Sequence, residues 1–193
     1  MISTDIAFPL GKAETNKGSF VFSSLLSNFD QGYGFTIEYY RQLSPRFHTG
    51  VRYSNVSFSN WQFNPASEVF NNAEAMIHAL SINVRAGSLF HERGILNKWR
   101  FQAGVAPGMY MITVNAPELS VSSSKTVRPG LFVNGGIDYA IRNNLAISIG
   151  CGYQIVSVMS SLYQESVFQW YQTSIGVTLR LDKNQNYLRG AYE

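Results

Sequence analysis

The sequence predicts an all-β fold: one eight-stranded antiparallel up-and-down transmembrane β-barrel with a polar lumen filled by side chains. Three observations predict it. Eight runs alternate apolar and polar residues with a period of two, and no long helical pattern competes with them. The connections between the runs differ in length in a regular way. The polar positions hold arginines, acids and glycines, and no lysine.

Side chains of a strand point alternately to two faces, so each run can be sorted. The first run, 2–10, carries Asp5 on its polar face. The second, 33–43, sets Tyr33, Phe35, Ile37 and Tyr39 against Gly34, Thr36, Glu38 and Tyr40. The third, 47–58, sets Phe47, Val51 and Tyr53 against His48, Gly50 and Arg52. The fourth, 75–87, opposes Leu80, Ile82 and Val84 to Arg85 and Gly87. The fifth, 99–114, puts Arg100, Gly104 and Gly108 opposite Val105. The sixth, 127–141, puts Arg128, Gly130, Gly136 and Asp138 opposite Leu131 and Val133, with Gly135 an exception. The seventh, 145–156, opposes Gly150 and Gly152 to Ile147, Ile149 and Cys151. The eighth, 169–181, opposes Gly176 and Arg180 to Ile175 and Val177. Residues 1–181 therefore form the barrel, and 182–193 are a short polar tail.

Connections 11–32, 59–74, 115–126 and 157–168 are long and polar, whereas 44–46 and 142–144 are tight and 88–98 is intermediate. Two unequal rims of this kind belong to a meander crossing a layer, and a soluble sandwich gives no reason for them. All five lysines, Lys12, Lys17, Lys98, Lys125 and Lys183, fall in connections or the tail. A polar face in water would carry lysine freely and few glycines, because glycine weakens an exposed strand. An Arg-rich, glycine-rich face suits a cramped interior where guanidinium groups pair with carboxylates. The polar face is therefore inside and the apolar face meets lipid. Tyr39, Phe47, Trp99, Phe101 and Tyr139 lie near the short turns, and Tyr33, Tyr53, Tyr153 and Tyr171 near the long loops, as two interfacial girdles require.

Composition excludes other classes. Charged residues are 14% of the chain, against roughly 25% in ordinary globular proteins. A net charge of +3 without clustered basic residues gives no nucleic-acid footprint. No stretch approaches the ~18 apolar residues of a membrane helix. One cysteine, Cys151, forms no intrachain disulfide, and three scattered histidines give no metal-ligand spacing. No cofactor is expected. Met1 is followed by Ile-Ser-Thr-Asp, not by a basic and then an apolar region, so a signal peptide is expected to have been removed.

This arrangement resembles the small eight-stranded outer-membrane β-barrels of the OmpA-transmembrane, OmpX and OmpW-like group. The resemblance covers 2–181 and is architectural. Its most motif-like piece is the last run, Ser174-Ile-Gly176-Val-Thr-Leu179-Arg-Leu181, which looks like the signal presented to the outer-membrane insertion machinery. Leu179 and Leu181 stand where that signal favours aromatic residues, and twelve residues follow. The Tyr-Gly strand starts and the Leu-Ser-Pro-Arg-Phe turn look like barrels of the Bacteroidota. The resemblance implies a bacterial outer membrane, short turns and both termini in the periplasm, and outer-membrane lipids including lipopolysaccharide as neighbours.

Candidate functional residues fall into three groups. Asp5, Glu38, Arg52, Arg85, Arg100, Asp138 and Arg180 form an expected lumen ion network, since buried charge requires pairing. With Arg128 the lumen then holds five arginines against three acids. An eight-stranded barrel has room for side chains and little more, which opposes an open ion path. Phe20, Phe22, Leu25, Leu26 and Tyr163 make two connections oily, either as a contact surface for a protein partner or as longer hairpins. Catalysis would need a hydroxyl beside a base. His78, with Ser81 and Glu74 near it in sequence, is the one candidate for a lipid-modifying site. The expected function is non-catalytic: a scaffold or accessory subunit of a larger outer-membrane complex, with a free-standing surface protein as the alternative.

Overall fold

The computed structural model describes residues 1–9, 31–44, 46–59, 63–64, 69–70, 74–87, 98–116, 121–142, 144–160 and 163–179. In chain order the strands are β1 (Ile2–Pro9), β2 (Gly32–Gln42), β3 (Phe47–Ser59), β4 (Phe63–Asn64), β5 (Val69–Phe70), β6 (Glu74–Gly87), β7 (Trp99–Ala116), β8 (Val121–Arg142), β9 (Leu145–Ser160) and β10 (Tyr163–Leu179). Eight of them close a barrel in the order β1-β10-β9-β8-β7-β6-β3-β2, every neighbour antiparallel. β4 and β5 pair only with each other, inside the connection between β3 and β6.

The eight expected runs are the eight barrel strands, but several strands are longer. β8 starts at Val121, β9 runs to Ser160 and β10 starts at Tyr163. Of the stretches read as loops, 115–126 and 157–168 are thus largely strand. Lys125 accordingly stands within β8 and not in a connection. Residues 122–125, Ser-Ser-Ser-Lys, are polar on both parities, so this part of β8 leaves no period-two signal. β8 pairs with β9 only as far as Gly130 and Val156, while the β7–β8 and β9–β10 hairpins each continue beyond that point. The first β8 residue past the last shared pair is Pro129, which has no N–H to contribute.

Strand tilt follows from the register. The row Glu38–Arg52–Ser81–Gly108–Gly130–Val156–Phe168 is read directly from the Cα partners. It leaves β2 near its turn-side end and reaches β10 far above Leu179, so rows climb toward the loops from β2 to β10. Pro107 notches the wall: the β6–β7 register continues, but Ile82 and Asn83 have no bridged partner opposite Pro107 and Ala106.

Sidedness is unambiguous. Ile37, Leu80, Ile82, Ile149 and Ile175 are exposed on the outer wall, whereas Asp5, Glu38, Arg52, Arg85, Arg100 and Asp138 are buried in the lumen. No aqueous fold inverts its faces in this way, and a lipid-embedded barrel requires it. Trp99 and Tyr139 pack at 4.8 Å on the turn side, and Tyr153 and Tyr171 at 5.2 Å toward the loops, which places the two girdles.

Candidate functional site

The lumen is built in layers. Nearest the short turns, Arg100 Nη2 donates to His48, 2.7 Å from Nδ1, and Arg100 faces Asp138 in register. Above them Glu38 is the hub. Arg85 Nη2 lies 2.9 Å from Glu38 Oε1 and 2.8 Å from Oε2. Arg52 Nε lies 3.2 Å from Oε1, an ion pair without hydrogen-bond alignment. Tyr40 donates its hydroxyl to Oε2, and Asn83 Nδ2 donates to Oε1 at 3.3 Å. A carboxylate accepting from several donors offsets much of the cost of its burial.

The network runs on in two directions. Arg85 Nη1 donates to Gln102 Oε1 at 3.1 Å, and Gln102 Nε2 donates to Asp138 Oδ1 at 2.9 Å, so an amide links two charged groups. Upward, Arg52 Nη2 donates to Thr36 Oγ1 at 3.3 Å and toward Gln172 Oε1 at 3.5 Å. Thr36 in turn donates to Asp5 Oδ2 at 2.5 Å. The Arg52 guanidinium lies 4.0 Å over the Phe132 ring, so one side of its charge rests on an aromatic face. A cavity of about 30 Å³ lies beside Asp5, Arg52, Asn134 and Gln172, enough for a water molecule.

Above Arg52 the lumen changes character. Val56, Phe58, Ile77, Tyr110, Ile112, Val156 and Trp170 form one buried apolar cluster. Phe58 and Tyr110 each meet Trp170 edge-on, at 6.1 and 6.2 Å. These residues share the inward parity of the charges below them. The Glu38 ion network thus lies in the turn-side part of the lumen, and an apolar, aromatic cluster fills it above Arg52, with Arg128 inward on the loop side. This cluster is the main feature that sorting by charge does not reveal.

The sequence-derived residues distribute as follows. Asp5, Glu38, Arg52, Arg85, Arg100 and Asp138 are brought together in the lumen, three acids with three arginines. Arg128 is inward but half-buried on the loop side. Arg180 and Leu181 lie outside the described residues, as do Phe20, Phe22, Leu25, Leu26, His91 and the tail 182–193. Tyr163 opens β10 opposite Ser160, so the β9–β10 pair is a longer hairpin. Gly176 points inward beside Ser3, and Leu179 points out at the end of β10. His78 and Ser81 do not meet. His78 is on the outer wall against Tyr53 and Asn55, Ser81 is buried in the lumen, and Glu74 takes a hydrogen bond from Ser57. The expected nearness of His78 to Ser81 fails because residues three apart on a strand face opposite ways. Among the described residues no group of three acidic, histidine or cysteine side chains could hold a metal.

No protein-family model matches the sequence, and no curated protein matches it. Among solved structures the chain is similar to Neisserial surface protein A, with a TM-score of 0.59 and 14% identity over 93% of this chain and 96% of that one. It is also aligned with Ail, the attachment invasion locus protein of Yersinia pestis. The form in complex with the heparin analogue sucrose octasulfate gives a TM-score of 0.44 and 13% identity, over 91% of this chain and 95% of that one. Ail without that analogue gives the same TM-score at 12% identity. The chain has the fold of the small eight-stranded outer-membrane β-barrels.

Proposed function

We propose that this is a non-catalytic integral protein of the bacterial outer membrane that acts by contact through its loop-side rim. Within that reading it serves as a scaffold or accessory subunit of a larger outer-membrane complex for secretion, assembly or uptake. The observation that carries the reading is the double filling of the lumen, by the Glu38 network below and the Trp170 cluster above. A barrel filled in this way offers no conduit, and its working surface is what it exposes.

A second reading is a free-standing surface protein whose loops bind ligand or cells. The forked rim favours it: the β7–β8 and β9–β10 pairings each continue past Gly130 and Val156, where β8 and β9 are no longer paired with each other. The similar fold of a protein named as a surface protein of Neisseria is compatible with it. A lipid-modifying site at His78 loses its support, because Ser81 is on the other side of the wall.

Mild detergent extraction of the source membranes, followed by native sizing and identification of co-purifying chains, tests the proposal. Co-migration at fixed stoichiometry supports the subunit role. Migration as a lone barrel supports the surface role. Recovery without detergent would overturn the membrane assignment itself.

A further inference from the structure

The rim at the short turns carries one sign of charge. Arg41, Arg46, Lys98 and Arg142 are all exposed there, and none has an ion-pair partner among the described residues. The acids of the turn-side half, Glu38 and Asp138, are buried in the lumen. Glu74, which is exposed, stands at the loop end of β6. No exposed residue described at the turn end is acidic. Residues 88–97 and 180–193 lie outside the described residues. By sequence they carry four cations and three acids, which does not reverse the sign.

Each cation is placed by the chain beside it. On β2 the outer face reads Ile37, Tyr39 and then Arg41 toward the turn. On β3 it reads Val51, Thr49 and Phe47, and Arg46 follows in the turn. That turn is tight. Phe47 N donates to Ser44 O at 3.2 Å, and Gly87 N at the end of β6 donates to Arg46 O at 2.7 Å. On β7, Phe101 and Trp99 lead to Lys98. On β8 a bulge sets the side. Ala140 pairs with Ala146 but Arg142 with Leu145, so Arg142 leaves the inward parity of Ala140 and joins the outward parity of Leu145. At four points, then, apolar and aromatic side chains of the outer wall are followed by a cation. A bilayer presents tails, interface and headgroups in the same order.

We propose that this rim selects anionic phospholipid headgroups in the leaflet that meets the short turns, an inference that rests on the membrane-spanning reading above. The placement selects a lipid over a soluble partner, because each cation directly follows outer-wall residues and so lies level with the headgroups. The charge selects the kind of lipid. A guanidinium or ammonium group receives a phosphate oxygen well. A zwitterionic headgroup brings its own ammonium with the phosphate, and no exposed carboxylate described at this rim is there to receive it. An anionic headgroup such as phosphatidylglycerol brings only the phosphate and hydroxyls, and its net charge is attracted by all four cations together.

The test uses the full-length barrel in nanodiscs of phosphatidylethanolamine and phosphatidylglycerol with the same acyl chains. Lipids retained on release are counted by native mass spectrometry. The wild type is expected to retain phosphatidylglycerol about fivefold above its share of the bilayer, the preference that attraction to a surface cation supplies. Arg41→Gln/Arg46→Gln/Lys98→Gln/Arg142→Gln should bring the ratio back to that of the bilayer. All four side chains are exposed, so folding should be kept, and an unchanged heat-dependent gel shift checks this. Arg142→Gln alone should lose part of the preference. Lys125→Gln, which removes the same charge from the loop side of the same strand, should lose none. Equal losses in these two single variants would make the effect one of net charge and overturn the proposal. Absence of a preference in the wild type, or a preference that survives in the fourfold variant, overturns it too. So does an acidic polypeptide that binds the wild type in place of lipid and is lost in the fourfold variant, which would make the rim a protein contact. If the protein needs no lipid or detergent to stay in solution, the membrane reading itself has failed, and the proposal falls with it.

Discussion

Arg85 reaches both carboxylate oxygens of Glu38, and Arg52 approaches the same carboxylate from the neighbouring strand. The arrangement is asymmetric: one acid serves two arginines, and the three side chains are almost wholly shielded from solvent. Removing one partner of a buried pair leaves an uncompensated charge, which costs about 3–5 kcal/mol. Glu38→Leu strands two guanidinium groups. Arg85→Leu strands none, because Glu38 keeps Arg52. We expect Glu38→Leu to be the more damaging change. Urea unfolding midpoints in detergent micelles give the comparison, and an equal or reversed ranking would contradict the hub role of Glu38.

Gly152 and Phe132 provide a packing test. A Cβ at Gly152 would run into the Phe132 ring, and that ring supports the Arg52 guanidinium. Overfilling a packed interior costs about 1–3 kcal/mol. Gly152→Val is therefore expected to destabilise the barrel, and Phe132→Leu in the same chain to restore part of the loss. The four proteins of this double-mutant cycle should show a coupling term. Strict additivity would mean that the glycine is not there to seat the ring.

How much of this was legible in the sequence depends on whether the two faces of a strand differ. Glu38, Arg52 and Arg85 alternate with Ile37, Val51 and Val84, so both the strands and their sidedness could be read. Higher in the barrel, Val56, Phe58, Ile77 and Ile112 occupy the inward parity. There both faces are apolar or mixed, and alternation no longer reports what fills the lumen. Gln102, Gln154 and Gln172 were missed for a related reason. They carry no charge, yet Gln102 links Arg85 to Asp138, and Gln154 donates to Gln172 beside Arg52. A search for amides at inward parity would have found them. The upper part of β8 was hidden by the opposite condition, with Ser122, Ser123, Ser124 and Lys125 polar on both parities.

Ile149 and Ile175 face each other across β9 and β10 on the outer wall, each 58% exposed. An arginine at mid-depth on such a face costs about 2–4 kcal/mol in lipid and almost nothing in water. Ile175→Arg should lower the unfolding midpoint in vesicles, whereas Lys125→Arg, far up β8, should leave it unchanged. Cys151 is exposed on the same face. In vesicles it should react with an apolar maleimide and resist a charged, membrane-impermeant one. Rapid labelling by the charged reagent in intact vesicles would place this wall in water.

The lumen is shut twice, and the two seals differ in kind. Phe58→Ala/Trp170→Ala removes two large rings from the apolar cluster but leaves the Glu38–Arg85–Arg52 network across the barrel below it. Opening the upper part alone should give no steady ion current in a planar bilayer. Glu38→Ala/Arg85→Ala thins the lower seal while Phe58, Tyr110 and Trp170 still close the upper one, so it too should be silent. Only the fourfold variant removes material from both levels, and there brief openings are expected, provided that it still folds and inserts. Steady current through the wild-type barrel, or through either double variant, would mean that one seal was incomplete and that an ion path, not a contact surface, is the function to pursue.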